Sequence, residues 1–326
     1  MMQEELQIGG FVTTKRISII NFKGGVGKTA LALHLACGLS VYHEKRVLLV
    51  DVDHQSSLSL TILKPKEWEK VVEDGRTLDA VFQHFTTSNT KLPGKEIICR
   101  EPYGDYYPKL DLVPATLQLD ETELDLTSTT VGDPIESEWN KRTLICKWIE
   151  QNNIDSDYNY IIFDCPPATK LVTQNAIATS HGYIIPVIPD AVSTRGIPHL
   201  IERMFKKIDK KFSGLAEYLE AKGKKIVSTY VPKTQLVGII VFKIKTSGPS
   251  YSGYTLDHTR HLRNIQSLYP KYIIEPYIVD GVGVPESTSR GYPVYNFEDN
   301  PNVRNRDFIG LFQKITDELK VRIDKL

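Results

Sequence analysis

Apolar positions fall into two rhythms along this chain. Residues 16–21 (R-I-S-I-I-N) form a short β-branched run that ends in a Gly-rich turn, and residues 30–36 (A-L-A-L-H-L-A) then read as helix. Similar apolar runs stand at 46–51, 160–164, 183–188 and 236–241, with helical patterns between most of them. Near-continuous apolar strands alternating with helices predict an α/β fold with a mostly parallel, twisted sheet and helices on both faces. Between residues 64 and 109 the periodicity weakens and Pro, Gly, Asn, Thr and Tyr accumulate, which predicts an elaborated insertion with a helix near 78–85. Residues 246–254 (T-S-G-P-S-Y-S-G-Y) read as a flexible loop. Neither an internal repeat nor a composition break divides the chain, so a single domain over 1–326 is expected.

Two amphipathic stretches stand out near the end. Leu200, Ile201, Met204, Ile208 and Phe212 form an apolar stripe opposite Arg203, Lys206, Lys207, Lys210 and Lys211. Leu311, Phe312, Ile315, Leu319 and Ile323 form another, with mixed charges opposite, which predicts a core-packing final helix rather than a membrane anchor.

Composition narrows the class only a little. The 326 residues carry 40 basic and 40 acidic side chains, so nucleic-acid affinity must come from a local patch and not from net charge. No apolar run approaches a membrane span, and residues 1–11 lack the order of a secretory signal, so a cytoplasmic protein is expected. Cys37, Cys99, Cys146 and Cys165 are widely spaced, without the paired spacing of a zinc or redox site.

The candidate chemistry sits where strands end. A Gly-rich turn between strand and helix aims successive N–H groups into one concavity, to which the helix N-terminus adds its positive end. Lys23-Gly24-Gly25-Val26-Gly27-Lys28-Thr29 has that context, with Ala30 opening the helix. Lys28 is placed to reach the β- and γ-phosphates, and the Thr29 hydroxyl to complete a Mg²⁺ shell. The usual phosphate-loop pattern wants glycine where Phe22 stands, and a second lysine, Lys23, starts the loop instead.

In that K-G-G-V-G-K-T segment the chain resembles the ParA/MinD family of deviant P-loop NTPases, most nearly ParA-type partition ATPases without an N-terminal helix-turn-helix domain. The resemblance extends through residues 48–55 (L-L-V-D-V-D-H-Q), 110–116, 161–167 (I-I-F-D-C-P-P), 186–190, 284–287 and 291–294, most of the chain from residue 16 onward. It implies ATP and Mg²⁺ as cofactors, and Lys23 as a signature lysine used across a nucleotide-sandwich homodimer. It gives Asp53 a place near the attacking water, Asp51 a role behind the metal or as loop support, and Asp164 a hold on Mg²⁺ through water. His54 stands where the family has proline. Adenine contacts map to about Val279 and Gly281, where the family has Pro and Asn.

The same resemblance implies non-specific DNA binding by exposed basic residues, for which Arg203, Lys206, Lys207, Lys210 and Lys211 are candidates; a solvated outer helix is the plainer reading. The expected function is a nucleoid-associated partition switch whose hydrolysis a ParB-like adaptor stimulates to segregate a plasmid or chromosome. The alternatives are a positioning ATPase for another cellular cargo, a MinD-like membrane-surface switch, and a metabolic or electron-transfer enzyme of the same fold. The last would pair cysteines across a dimer in patterns that Cys99, Cys146 and Cys165 do not form.

Overall fold

Successive side chains of a strand point to opposite faces, and here both sets are apolar. In β2 (Val47–Asp51), Val47 and Leu49 join one buried cluster with Ile17, Ile19, Ile162 and Ile184, while Leu48 and Val50 join a second with Ile161, Phe163, Ile185 and Val187. Such a sheet needs cover on both sides. In the computed structural model, which describes residues 13–87, 90–168, 170–247 and 253–326, helices supply it. Lys28–Tyr42 and Phe308–Ile323 cover the first face; Leu144–Gln151, Leu171–Thr179 and Lys206–Ala221 cover the second.

The strands are β1 (Lys15–Ile19), β2, β3 (Leu110–Val113), β4 (Tyr160–Asp164), β5 (Gly182–Val187), β6 (Gln235–Val241), β7 (Thr246–Ser247), β8 (Gly253–Tyr254) and β9 (Ile273–Ile274). The seven-stranded sheet has the order β3-β2-β4-β1-β5-β6-β9, and each pairing in it is parallel. Five of these strands coincide, within a residue or two, with the apolar runs of the sequence.

β3 does not announce itself in the pattern because Asp111 interrupts it. Its carboxylate is nevertheless satisfied, accepting from Arg100 Nη1 at 2.7 Å, Tyr158 OH at 2.6 Å and the Glu101 N–H at 2.9 Å. β9 is two residues long, too short for any period.

Among the described residues, the weakly periodic stretch after residue 64 holds two α-helices, Pro65–Glu73 and Asp79–Thr86, where one is expected, and two short 3-10 helices, Lys95–Ile97 and Gly104–Tyr106. It attaches by burying Leu78, Val81, Phe82, Ile97 and Ile98 in the core, and by two aromatic donors: Trp68 Nε1 to the Ala115 carbonyl at 3.2 Å, and the Tyr103 hydroxyl to the Gly291 carbonyl at 2.8 Å. Of residues 246–254, those at 248–252 lie outside the described residues, as do residues 1–11; the flanking pairs form the antiparallel β7/β8 ribbon.

Phe308, Phe312, Ile315, Leu319 and Ile323 of the last helix are buried, and the His34 ring stacks on Phe312 at 3.9 Å between centroids. That stripe is therefore spent on the core. Among the described residues no helix is long and apolar enough to cross a membrane. The four cysteines are free.

Candidate active site

Register brings the polar chemistry to one level. Ile19 pairs with Asp164, and Asp51 pairs with Asp164 from the other side, so β1, β4 and β2 end side by side. Open parallel sheets bind ligands beyond such carboxyl ends. The turn that leaves β1 needs glycine twice over: Gly25 and Gly27 have φ of +72° and +96°, and a Cβ on Gly27 would come within 2.6 Å of the Phe242 ring.

The helix Lys28–Tyr42 starts on Gly27 without a side-chain cap, its first bond running from the Leu31 N–H to the Gly27 carbonyl at 2.8 Å. The N–H groups of Lys28, Thr29 and Ala30 are thus left for an external acceptor at the positive end of the helix. The Asn21 side chain ties the turn to the sheet, donating to the Pro186 carbonyl at 2.7 Å and accepting from the Lys23 N–H at 3.0 Å.

Lys28 is buried, and burial draws its pKa down while Asp164 and Asp53 pull it back up. Asp51 is also buried, but its oxygens are engaged: one accepts from the Ser59 N–H at 2.9 Å and hydroxyl at 2.7 Å, the other from the Asp53 N–H at 3.2 Å. Burial, with the like charge of Asp53 as the smallest cause, pushes its pKa up to about 7. As arranged, Asp51 supports the loop.

Asp164 differs. Both of its oxygens are buried without a hydrogen-bond partner among the described residues, and burial first, then the Asp51 charge, raises its pKa well above the carboxylate range. The Thr29 hydroxyl and Lys28 are the groups that favour its charged form. A buried carboxylate unpartnered among the described residues, beside a threonine hydroxyl at the Gly-rich turn, fits a hard, oxygen-seeking cation such as Mg²⁺. Among the described residues there is no cluster of three or more His, Cys, Asp or Glu with metal-binding geometry. Mg²⁺ held by few protein oxygens plus phosphate does not require one.

Asp53 is buried and fixed, its carboxylate accepting from the Gln55 N–H at 3.0 Å and its carbonyl from the Ser56 N–H at 2.8 Å. These bonds hold the turn that carries His54 in place of proline. The ring of His54 lies 3.6 Å from the Asp53 carboxylate.

A cavity of about 370 Å³ collects Gly24, Gly25, Gly27, Lys28, Thr29, Ala30, Asp53, Val279 and Gly281 of the sequence candidates. Val26, Asp51 and Asp164 are buried and are not among the residues that line it. A larger open cleft of about 860 Å³ runs past Tyr106, Arg290 and Phe297 but holds neither the Gly-rich turn nor the strand-end aspartates, so volume alone does not locate the chemistry.

The lining of the smaller cavity also includes Phe242, Lys243, Ile278, Val284, Pro285 and Thr288, none of them expected as site residues. Phe242 and Lys243 directly follow β6, and the strand-end rule that located Asp51 and Asp164 applies to them equally. Val279 bridges to Ile244, whose N–H and carbonyl engage Ile278 and Asp280; the N–H and carbonyl of Val279 itself therefore face the opposite edge.

Lys23 is not brought into this cavity. Its ammonium pairs with Asp190, whose other oxygen caps the helix Ala191–Pro198 through the Ser193 N–H at 2.8 Å.

The basic candidates also lie apart. Arg203 falls in the π-helical stretch His199–Phe205 and the four lysines in Lys206–Ala221, with Leu200, Ile208 and Phe212 buried beneath. All five are exposed. Lys206 pairs with Glu202, and Lys211 with Glu138 at 3.4 Å.

Residues 14–221 match the family model described as AAA domain. The chain is 34% identical over 188 residues to the sporulation initiation inhibitor protein Soj of Bacillus subtilis, a match spanning 57% of this chain and 63% of that one. Against a ParA family protein of Chlamydia muridarum it is 24% identical over 310 residues, 94% of this chain and 97% of the other. Among solved structures, pNOB8 ParA bound to non-specific DNA shares the fold, with a TM-score of 0.59 and 17% identity over 96% of this chain and 99% of that one.

Proposed function

The chain belongs to the AAA domain family as a P-loop ATPase of the ParA/MinD type, and on that premise we propose that it is an ATP-dependent DNA partition switch. In this reading residues 1–326 act as one ATPase domain, and the working form is a homodimer with ATP between its halves. The dimer holds nucleoid DNA without regard to sequence, and a ParB-like adaptor triggers hydrolysis and release in the cytoplasm.

The supporting observation is the division of labour between the two loop lysines. Lys28 is buried against its own phosphate turn, whereas Lys23 points out of that cavity to Asp190. A lysine that does not serve its own cavity is available to a second copy. Within one chain, the N–H groups of Gly24 to Ala30 cradle the phosphates and Lys28 neutralises the β- and γ-oxygens. Thr29 and Asp164 would hold Mg²⁺, with Asp51 fixing the loop behind them; when bound, the ion offsets charge on the transferring phosphoryl group. Asp53 orients the attacking water, and the free edge of Val279, with Gly281 beside it, borders the adenine.

Retention on immobilised non-specific DNA tests the proposal. Retention is expected with ATP and Mg²⁺, loss with ADP, and a steep fall as salt rises, because binding by phosphate neutralisation is driven by counterion release. Equal retention with ATP and ADP, or none with either, would contradict it.

A further inference from the structure

The cavity's lining is of two chemical kinds: Gly24, Gly25, Lys28, Thr29 and Asp53 bring backbone, hydroxyl and charged groups, and Phe242, Ile278, Val279, Val284 and Pro285 bring apolar side chains. Lys243, which also lines it, follows β6, and its ammonium donates to the Gly25 carbonyl of the phosphate turn at 3.0 Å. Its backbone is in the left-handed region, φ +52°, which a non-glycine residue adopts only where the surroundings hold it.

Next to it, the Phe242 ring sits against Gly27 at a distance that leaves no room for a Cβ. Two adjacent residues of the β6 exit thus rest on two glycines of the phosphate turn. With the ammonium already engaged by a carbonyl, Lys243 is poorly placed to serve as a second phosphate ligand. What it offers the cavity is its four-carbon stem.

We infer that Lys243 is a nucleotide-binding residue for the base–ribose half of the ligand: its methylene stem covers the heterocycle, anchored by the bond to Gly25. This rests on the nucleotide reading of the same cavity and adds to it a residue from a separate strand. The stem contributes apolar contact that a bare polyphosphate cannot use. Lys243 therefore separates affinity for a nucleoside diphosphate from affinity for its phosphates.

Calorimetric titration with Mg²⁺-ADP and with Mg²⁺-pyrophosphate tests this on the full chain. Lys243→Ala is expected to weaken ADP about tenfold, the order set by a few methylenes leaving an apolar contact, with pyrophosphate unchanged. Lys243→Met, which keeps the stem and loses the ammonium, should stay within about threefold of the unmodified protein for ADP. Unchanged ADP affinity in Lys243→Ala would overturn the inference. So would a parallel loss of pyrophosphate, which would make the residue a support of the phosphate turn only. Failure of the unmodified chain to bind either ligand would overturn the phosphate-turn reading along with it.

Discussion

Lysines gather at two places in this molecule, the phosphate turn and the outer helix, and their surroundings differ. Lys28 is enclosed, with burial lowering its pKa and two aspartates opposing that pull. On the helix, Lys206 and Lys211 lean on Glu202 and Glu138 in open water, and Arg203, Lys207 and Lys210 have no ion pair among the described residues. A buried charge acts through fixed geometry in a low dielectric, whereas exposed charges act through a screened field to which each contributes a share. Substitutions should be large and all-or-none in the first place, graded and salt-dependent in the second.

The sharpest break would come at Lys28. Lys28→Ala should lose at least about a hundredfold in ATP affinity by calorimetry, since it removes a charge-assisted contact held in a desolvated site. Ordinary binding would remove the reason for treating the two lysine groups differently.

Asp164→Asn should separate stability from activity. The buried carboxylate has no hydrogen-bond partner among the described residues, so replacing it should raise the unfolding midpoint of nucleotide-free protein in chelator by about 2 °C while abolishing Mg²⁺-dependent hydrolysis. A lowered midpoint would mean that Asp164 holds the fold together and is not a site under strain.

Reversing Lys207 and Lys210 together to Glu should weaken ATP-dependent DNA retention about tenfold at moderate salt and flatten its salt dependence, leaving nucleotide affinity unchanged. Intact retention would make this face a solvated one.

The smallest effect is expected at Asp209, half-buried in the same helix, where burial pushes the pKa up to about 6 against the opposing pull of Lys233. A raised folded pKa means the folded form holds its proton longer. The associated stability is complete below about pH 4 and lost as pH rises to about 6. Chemical denaturation should therefore show Asp209→Asn gaining on the unmodified protein between pH 4 and pH 7; a constant difference would contradict the shift.

Legibility in the sequence followed the same division. The strands that build the site are buried on both faces, so β1, β2 and β4 could be read as apolar runs, and the Gly-rich turn and terminal aspartates could be placed on them. β3 was hidden because Asp111 satisfies itself through Arg100, Tyr158 and Glu101, partners that no local pattern reveals. Phe242 and Lys243 were missed for another reason: they reach the cavity from a strand more than two hundred residues after the turn, and only the sheet order makes them neighbours. The outer helix was legible as an amphipathic element and the Glu202–Lys206 pair lies at local helical spacing, but the Lys211–Glu138 pair was not legible, since Glu138 comes from a distant segment.

The dimeric use of Lys23 is the central claim, and molar mass by light scattering tests it most directly. Asp53→Ala protein with ATP and Mg²⁺ is expected to bind nucleotide and take the mass of two chains. Adding Lys23→Ala should return it to the mass of one chain with ATP still bound. A single-chain mass in the ATP-bound Asp53→Ala protein, or a doubling that survives Lys23→Ala, would contradict the account.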